Sequence, residues 1–166
     1  MDNLFDIKEK WALITGASRG LGKALAEGFA SAGSNLILLA RDQIALEREA
    51  SRLTQLYSVQ TFVLPTDISS PEQIENSLKS LKEKSIEVDI LVNNAGILKR
   101  SPFLEHSLED WQAVFDTNVR GTFLISQIIA ETMKLRNSGR IINIASILAV
   151  SGGLNVCSYA SAKGAT

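Results

Sequence analysis

Cysteine is almost absent from this chain of 166 residues: Cys157 stands alone, so no disulfide can form within it, which suits a reducing compartment. Histidine is equally scarce. His106 is the single example, and one histidine with one cysteine makes no metal site. An excess of basic charge is also missing. Seventeen Lys and Arg face 18 Asp and Glu, the net charge is -1, and no block of like charge occurs, so the electrostatic footprint of a nucleic-acid binder is lacking. No apolar run approaches a membrane span. The opening M-D-N-L-F-D-I-K-E-K begins acidic and lacks the apolar stretch of a signal peptide. Internal repeats, low-complexity segments and linkers are absent as well. A chain that is 45% hydrophobic and 21% charged can bury a core. One domain over residues 1–166 and a soluble cytoplasmic protein are the expectations.

What is present is an alternation of short apolar runs with helical patterns. Trp11–Thr15 is a strand that breaks into the glycine-rich T-G-A-S-R-G-L-G, and a helix is expected over about 21–32, stopped by Gly33. Asn35–Ala40 is a continuous apolar strand of the kind covered on both faces. An amphipathic helix follows over about 42–57, then a third strand over 59–64. Ser70-Pro71-Glu72 starts a helix running to about Lys84, and Asp89–Val92 is a fourth strand ending in N-N-A-G. Ser107 caps one long helix reaching about Leu135, with Trp111, Phe115, Asn118, Thr122, Ile125 and Ile129 as its stripe, and 140–145 is the fifth strand. Strand and helix alternating in this way predict an α/β fold, a doubly wound parallel sheet. Right-handed crossovers then bring every strand's C-terminal end to one edge, where ligands bind.

Three motifs fall on that edge. The first is the turn carrying Gly16, Gly20 and Gly22, in the pattern G-x-x-x-G-x-G. Glycines there let the backbone approach a pyrophosphate, and the next helix aims its N-terminal amides at the anion. At the end of the second strand, where an acid would bind a ribose 2′-hydroxyl, the sequence reads Ala40-Arg41-Asp42. Arg41, with Arg19 in the glycine turn, suits a 2′-phosphate, so NADP(H) is the expected cofactor. The alternative is a solvated Arg41 with Asp42 on the ribose of NAD(H). The second motif is N-N-A-G.

The third is Ser146, followed by Tyr159 and, four residues later, Lys163. If Tyr159 opens a helix, phenol and ammonium share one face. A nearby cation draws a phenol's pKa down from about 10, toward the range where a general acid works. A serine hydroxyl can stabilise charge developing on a substrate oxygen. Taken alone, Y-x-x-x-K also fits a Tyr and a Lys that merely share a helix.

Together these residues resemble the short-chain dehydrogenase/reductase family. T-G-A-S-R-G-L-G, Asp67, N-N-A-G, Asn118, Ser146 and Y-A-S-A-K occur in order and at family-like spacing along the whole chain. The resemblance implies a Rossmann fold and a catalytic tetrad of Asn118, Ser146, Tyr159 and Lys163. Tyrosine would pass the proton, serine orient the substrate oxygen, lysine bind the nicotinamide ribose, and asparagine help hold a relay water. It implies cofactor contacts at Gly16, Ser18, Arg19, Gly20, Leu21 and Gly22, at Asp67 and Ile68 around the adenine, and at Asn94, Ala95 and Gly96, with Tyr159 and Lys163 at the nicotinamide end. M-D-N-L-F-D and S-Y-A-S-A-K-G are similar to members of the gluconate 5-dehydrogenase and 3-oxoacyl-carrier-protein reductase kinds.

One departure stands out. The chain stops at Thr166, where family members continue through two more strands and a substrate-binding segment. The expectation is therefore a truncated piece of a longer enzyme, with an unpaired fifth strand and a short last helix, that by itself binds cofactor poorly or does not turn over. The parent is expected to be a homodimer or homotetramer acting on a small carbonyl or alcohol. A catalytically silent nucleotide-binding protein and a flavodoxin-like domain are the rival readings. Lys99-Arg100 could steer an anionic substrate or simply be solvated. Cys157 could line the substrate pocket or be a small packed residue.

Overall fold

The computed structural model describes residues 6–166; most of the M-D-N-L-F-D motif lies outside them. Five parallel strands form one sheet in the order β3-β2-β1-β4-β5: β1 is Trp11–Thr15, β2 Asn35–Ala40, β3 Thr61–Pro65, β4 Ile90–Asn93 and β5 Arg140–Asn143. The order reverses direction after β1, so the switch point falls between β1 and β4. β2 is buried at every position, as its unbroken apolar run requires.

Helices cover the two faces. α1 is Gly20–Ser31 and α2 is Gln43–Tyr57; with β1 and β2 they enclose a core containing Ile14, Ala26, Ala30, Leu36, Leu38, Leu46 and Leu53. α3, Pro71–Glu83, closes the opposite face, where Leu13, Ile37, Leu39, Leu91, Ile74 and Leu78 meet. Each of these fully buried aliphatics contributes about 1.5–3 kcal/mol by leaving water.

The single long helix expected from Ser107 to Leu135 is instead three pieces. α4, Leu108–Phe115, passes into one turn of π-helix, Asp116–Gly121, and then into α5, Thr122–Leu135. The wider turn shifts the stripe: Val114, Asn118, Gly121, Ile125, Ile129 and Met133 are buried, while Thr122 is half exposed and Trp111 stacks on Phe115 at 4.8 Å. A π turn accommodates one extra residue, and such turns are frequent at functional sites.

β5 lies at the open edge of the sheet, and all four of its residues are exposed. After a short α6, Leu148–Ser151, comes α7, Cys157–Ala165. Tyr159 therefore does not open its helix; α7 starts two residues earlier, at half-buried Cys157. Among the described residues no helix is long and apolar enough to cross a membrane.

Candidate active site

A cleft of about 630 Å³ opens at the C-terminal edge of the sheet. Its walls include Gly16, Ser18, Arg19, Gly20, Leu21 and Gly22 of the glycine turn, and Arg41 and Asp42 after β2. Asp67 and Ile68 after β3, Asn94, Ala95, Gly96 and Ile97 after β4, and Thr117 of the π turn complete it.

The floor is built by one threonine. The Thr15 hydroxyl accepts from the backbone N–H groups of Asn94 at 3.0 Å and Ala95 at 2.9 Å. The Asn94 amide returns a bond to the Thr15 carbonyl at 2.9 Å. These bonds join the ends of β1 and β4 across the switch point. A methyl at Gly22 would lie 2.2 Å from the Gly16 carbonyl and 2.5 Å from Asn94 Nδ2, so only glycine lets α1 approach this junction. Gly20, at φ +56°, has nothing within 4 Å of where a side chain would start, leaving backbone open toward the cleft. α2, α3 and α4 each begin with a side-chain cap, from Asp42, Ser70 and Ser107. α1 begins without one after Arg19, and its first-turn amides are aimed where an anion would complete them.

At the far end of the cleft, Asp42 Oδ1 accepts from the Ala45 N–H at 3.0 Å, committing that oxygen to the cap of α2. Arg41 is exposed and 3.9 Å from Asp67, a loose pair across the ends of β2 and β3. The other Asp67 oxygen accepts from both the N–H and the hydroxyl of Ser69, at 2.9 and 2.7 Å.

The four residues matching the catalytic tetrad lie outside the cleft lining. Asn118 is buried, and its amide clamps the strand-like segment after β4: Nδ2 donates to the Ile97 carbonyl at 3.0 Å and Oδ1 accepts from the Ile97 N–H at 2.8 Å. The Ser146 hydroxyl accepts from the Leu148 N–H at 3.2 Å. The Lys163 ammonium lies 6.0 Å from the centre of the Tyr159 ring and donates to the Ile144 carbonyl, two residues before Ser146. Tyr159 and Lys163, expected on the cofactor as well, are not among the residues of the cleft wall, and the Lys163 ammonium is held by the Ile144 carbonyl just after β5. His106 sits in the loop before α4, bonded to Ser101 Oγ at 2.6 Å, and Lys99 pairs with Asp110 at 3.0 Å.

The sequence profile of the family described as short chain dehydrogenase matches residues 10–166. The chain belongs to this family. A 2-dehydro-3-deoxy-D-gluconate 5-dehydrogenase of Pseudoalteromonas atlantica is 37% identical over 97% of this chain and 63% of its own length. L-sorbose reductase from Gluconobacter frateurii, solved with NADPH and L-sorbose, superposes with a TM-score of 0.92 at 33% identity, over 96% of this chain and 60% of that one. A xylitol dehydrogenase solved with NAD+ gives 0.91 at 30% identity, over 96% and 61%. The chain thus spans a little under two thirds of the length of these relatives.

Several residues of this short-chain dehydrogenase site were not legible as such. Thr15 reads only as the last residue of a strand, and Thr117 of the cleft wall carries no sequence signal of its own. The only signal for Thr15 is a hydroxyl closing an apolar strand just before the glycine turn.

Burial also pushes the Lys163 ammonium down from the ordinary lysine range. A base whose folded value is depressed contributes stability that is present above its unfolded value, about 10.4, and lost as pH falls through the folded value. Relative to Lys163→Met, the parent chain is therefore expected to gain melting temperature as pH is raised from 7 toward about 10. Thermal melts of both across those limits check this, and a difference independent of pH contradicts it.

Proposed function

We propose that this chain is the cofactor-binding and catalytic part of an NADP(H)-dependent oxidoreductase. It moves a hydride between nicotinamide and a carbonyl or secondary-alcohol carbon of a small substrate. The observation that carries the cofactor preference is the composition of the ribose end of the cleft. Ala40 stands where an acid would bind a 2′-hydroxyl, Asp42 spends one oxygen on its helix cap, and Arg19 and exposed Arg41 line the wall. Two guanidiniums match a dianionic 2′-phosphate through charge-assisted bonds. Uncapped α1 and the open backbone at Gly20 suit the pyrophosphate. The G. frateurii reductase with NADPH adds support.

The nicotinamide supplies or accepts the hydride when bound. The protein's own part is polar. Tyr159 gives the proton to the substrate oxygen or takes it away. Ser146 donates a hydrogen bond to the same oxygen, and the Lys163 charge beside the Tyr159 ring stabilises the phenolate left behind. Asn118 spends both ends of its side-chain amide on Ile97, so its part is to hold the cleft wall in place.

NAD(H) is the second reading, favoured by the remaining Asp42 oxygen at the cleft and by the xylitol dehydrogenase solved with NAD+. Titrations of the purified chain with NADPH and NADH separate the two. Arg41→Ala is expected to weaken NADPH by about tenfold or more and NADH by much less. Equal loss of both removes the 2′-phosphate argument.

A further inference from the structure

The loop after β3 carries Asp67 and Ile68 into the cleft. It is held from two sides. On the α3 side, the Asp67 N–H donates to Gln73 Oε1 at 2.9 Å, and the Ser70 hydroxyl caps α3. On the other side the π turn between α4 and α5 reaches it with Arg120. Its guanidinium donates through Nη2 to the Ser69 carbonyl at 2.9 Å and through Nη1 pairs with Asp116 at 3.0 Å. Ser69 in turn gives its N–H and hydroxyl to Asp67 Oδ1. Next to Arg120, buried Gly121 sits so close that a methyl there would lie 2.3 Å from the Ile68 carbonyl.

We propose that Arg120 is a positioning residue for the adenosine end of the cofactor, acting through Ser69 on Asp67, with Gly121 as the seat against which Ile68 rests. Asp116 aims the guanidinium. The π turn gives this arrangement its logic. The same turn presents Asn118 to Ile97 on one cleft wall and Arg120 with Gly121 to residues 68–69 on another. One short rigid segment sets the separation of both walls. Among the described residues the Arg120 guanidinium bonds only to the Ser69 carbonyl and to Asp116.

The inference rests on the cofactor reading above, and the test separates the two. The probe is 2′,5′-ADP, which carries the adenosine end of NADPH and no nicotinamide, titrated calorimetrically into the chain as it stands. Arg120→Ala is expected to weaken it about tenfold, the usual loss for one charge-assisted hydrogen bond. Arg120→Lys is expected to recover part of that affinity, and Gly121→Ala, which pushes on Ile68 from the same side, to lose a similar amount. Asp116→Asn, which keeps the Ser69 bond while weakening the partner that aims the guanidinium, is expected to bind between the parent chain and Arg120→Ala. A purely structural role would instead lower the melting temperature of the Arg120 variants while leaving affinity, at temperatures where all are folded, unchanged. If the parent chain binds 2′,5′-ADP and Arg120→Ala binds it equally well, the inference falls alone. If the parent chain binds no 2′,5′-ADP, the NADP(H) reading falls and takes the inference with it.

Discussion

Phenylalanine in place of Tyr159 is expected to lower the proposed carbonyl reduction with NADPH by about 10²–10⁴-fold, the usual contribution of a positioned general acid or base. Affinity for NADPH should stay within about twofold of the parent. The substitution removes one oxygen and nothing else. The ring keeps its place on α7, and the Lys163 ammonium keeps its carbonyl partner at Ile144. The cleft wall is untouched, since Tyr159 is not part of it. What disappears is the hydroxyl proposed to exchange a proton with the substrate oxygen. A loss confined to turnover marks an interaction made in the transition state; a loss shared with binding points to a packing role. Turnover within threefold of the parent would remove Tyr159 from the proposed chemistry. The readout is nicotinamide absorbance under saturating cofactor, across a panel of keto-sugars including L-sorbose.

The largest effect on stability is expected far from the cleft. Glu49 of α2 is buried, and its carboxylate takes Arg52 at 2.6 Å and Lys23 of α1 at 3.0 Å. Arg52 also makes a two-bond fork with Glu27 of α1, at 3.2 and 2.9 Å, and Tyr57 donates to Glu27 at 3.1 Å. The two helices are thus strapped to each other by charge-assisted bonds. Arg52→Ala leaves Glu49 buried with Lys23 alone, and is expected to cost about 2–4 kcal/mol at pH 7, somewhat below the full penalty for breaking a buried pair.

The pH dependence tests the cause. Burial acts to raise the Glu49 carboxyl, but Arg52 and Lys23 outweigh it and hold the group below the ordinary carboxylate range. A carboxylate depressed in the folded state contributes stability that is present above its unfolded value, about 4.3, and lost as pH falls through the folded value. The difference in denaturation midpoint between parent and Arg52→Ala should therefore be constant near neutrality and narrow as pH drops below about 4. A difference independent of pH would assign the loss to the packing of the arginine stem instead.

The sequence reading erred where backbone register depended on packing. β1, β2 and the caps of α3 and α4 stand where propensity and capping residues predict them, because those signals act over a few neighbouring residues. The π turn at Asp116–Gly121 has no such local signal. D-T-N-V-R-G is acceptable in an α-helix, and it widens where Asn118 is engaged by Ile97 and Gly121 abuts Ile68. The start of α7 has a similar reason: Ser158 is of a type that could cap a helix opening at Tyr159, but it is buried within the first turn, and the helix begins at Cys157 after buried Val156.

By itself, then, the chain's residue order determined the alternation of five strands with helices, the parallel sheet, the edge on which a ligand would sit, and the family to which the protein belongs. These follow from hydrophobic period, glycine placement and motif spacing, all properties of segments. The tertiary structure alone decided which groups are spent and which are free. Thr15 is taken by the N-N-A-G segment, one Asp42 oxygen by α2, Lys163 by the carbonyl of Ile144, and Glu49 is sealed beneath two cations, while Arg41 is left with only a distant acid. The physical reason is that a polar side chain's availability depends on which unsatisfied donor or acceptor the fold brings within hydrogen-bonding reach, and those partners come from residues far apart in the chain.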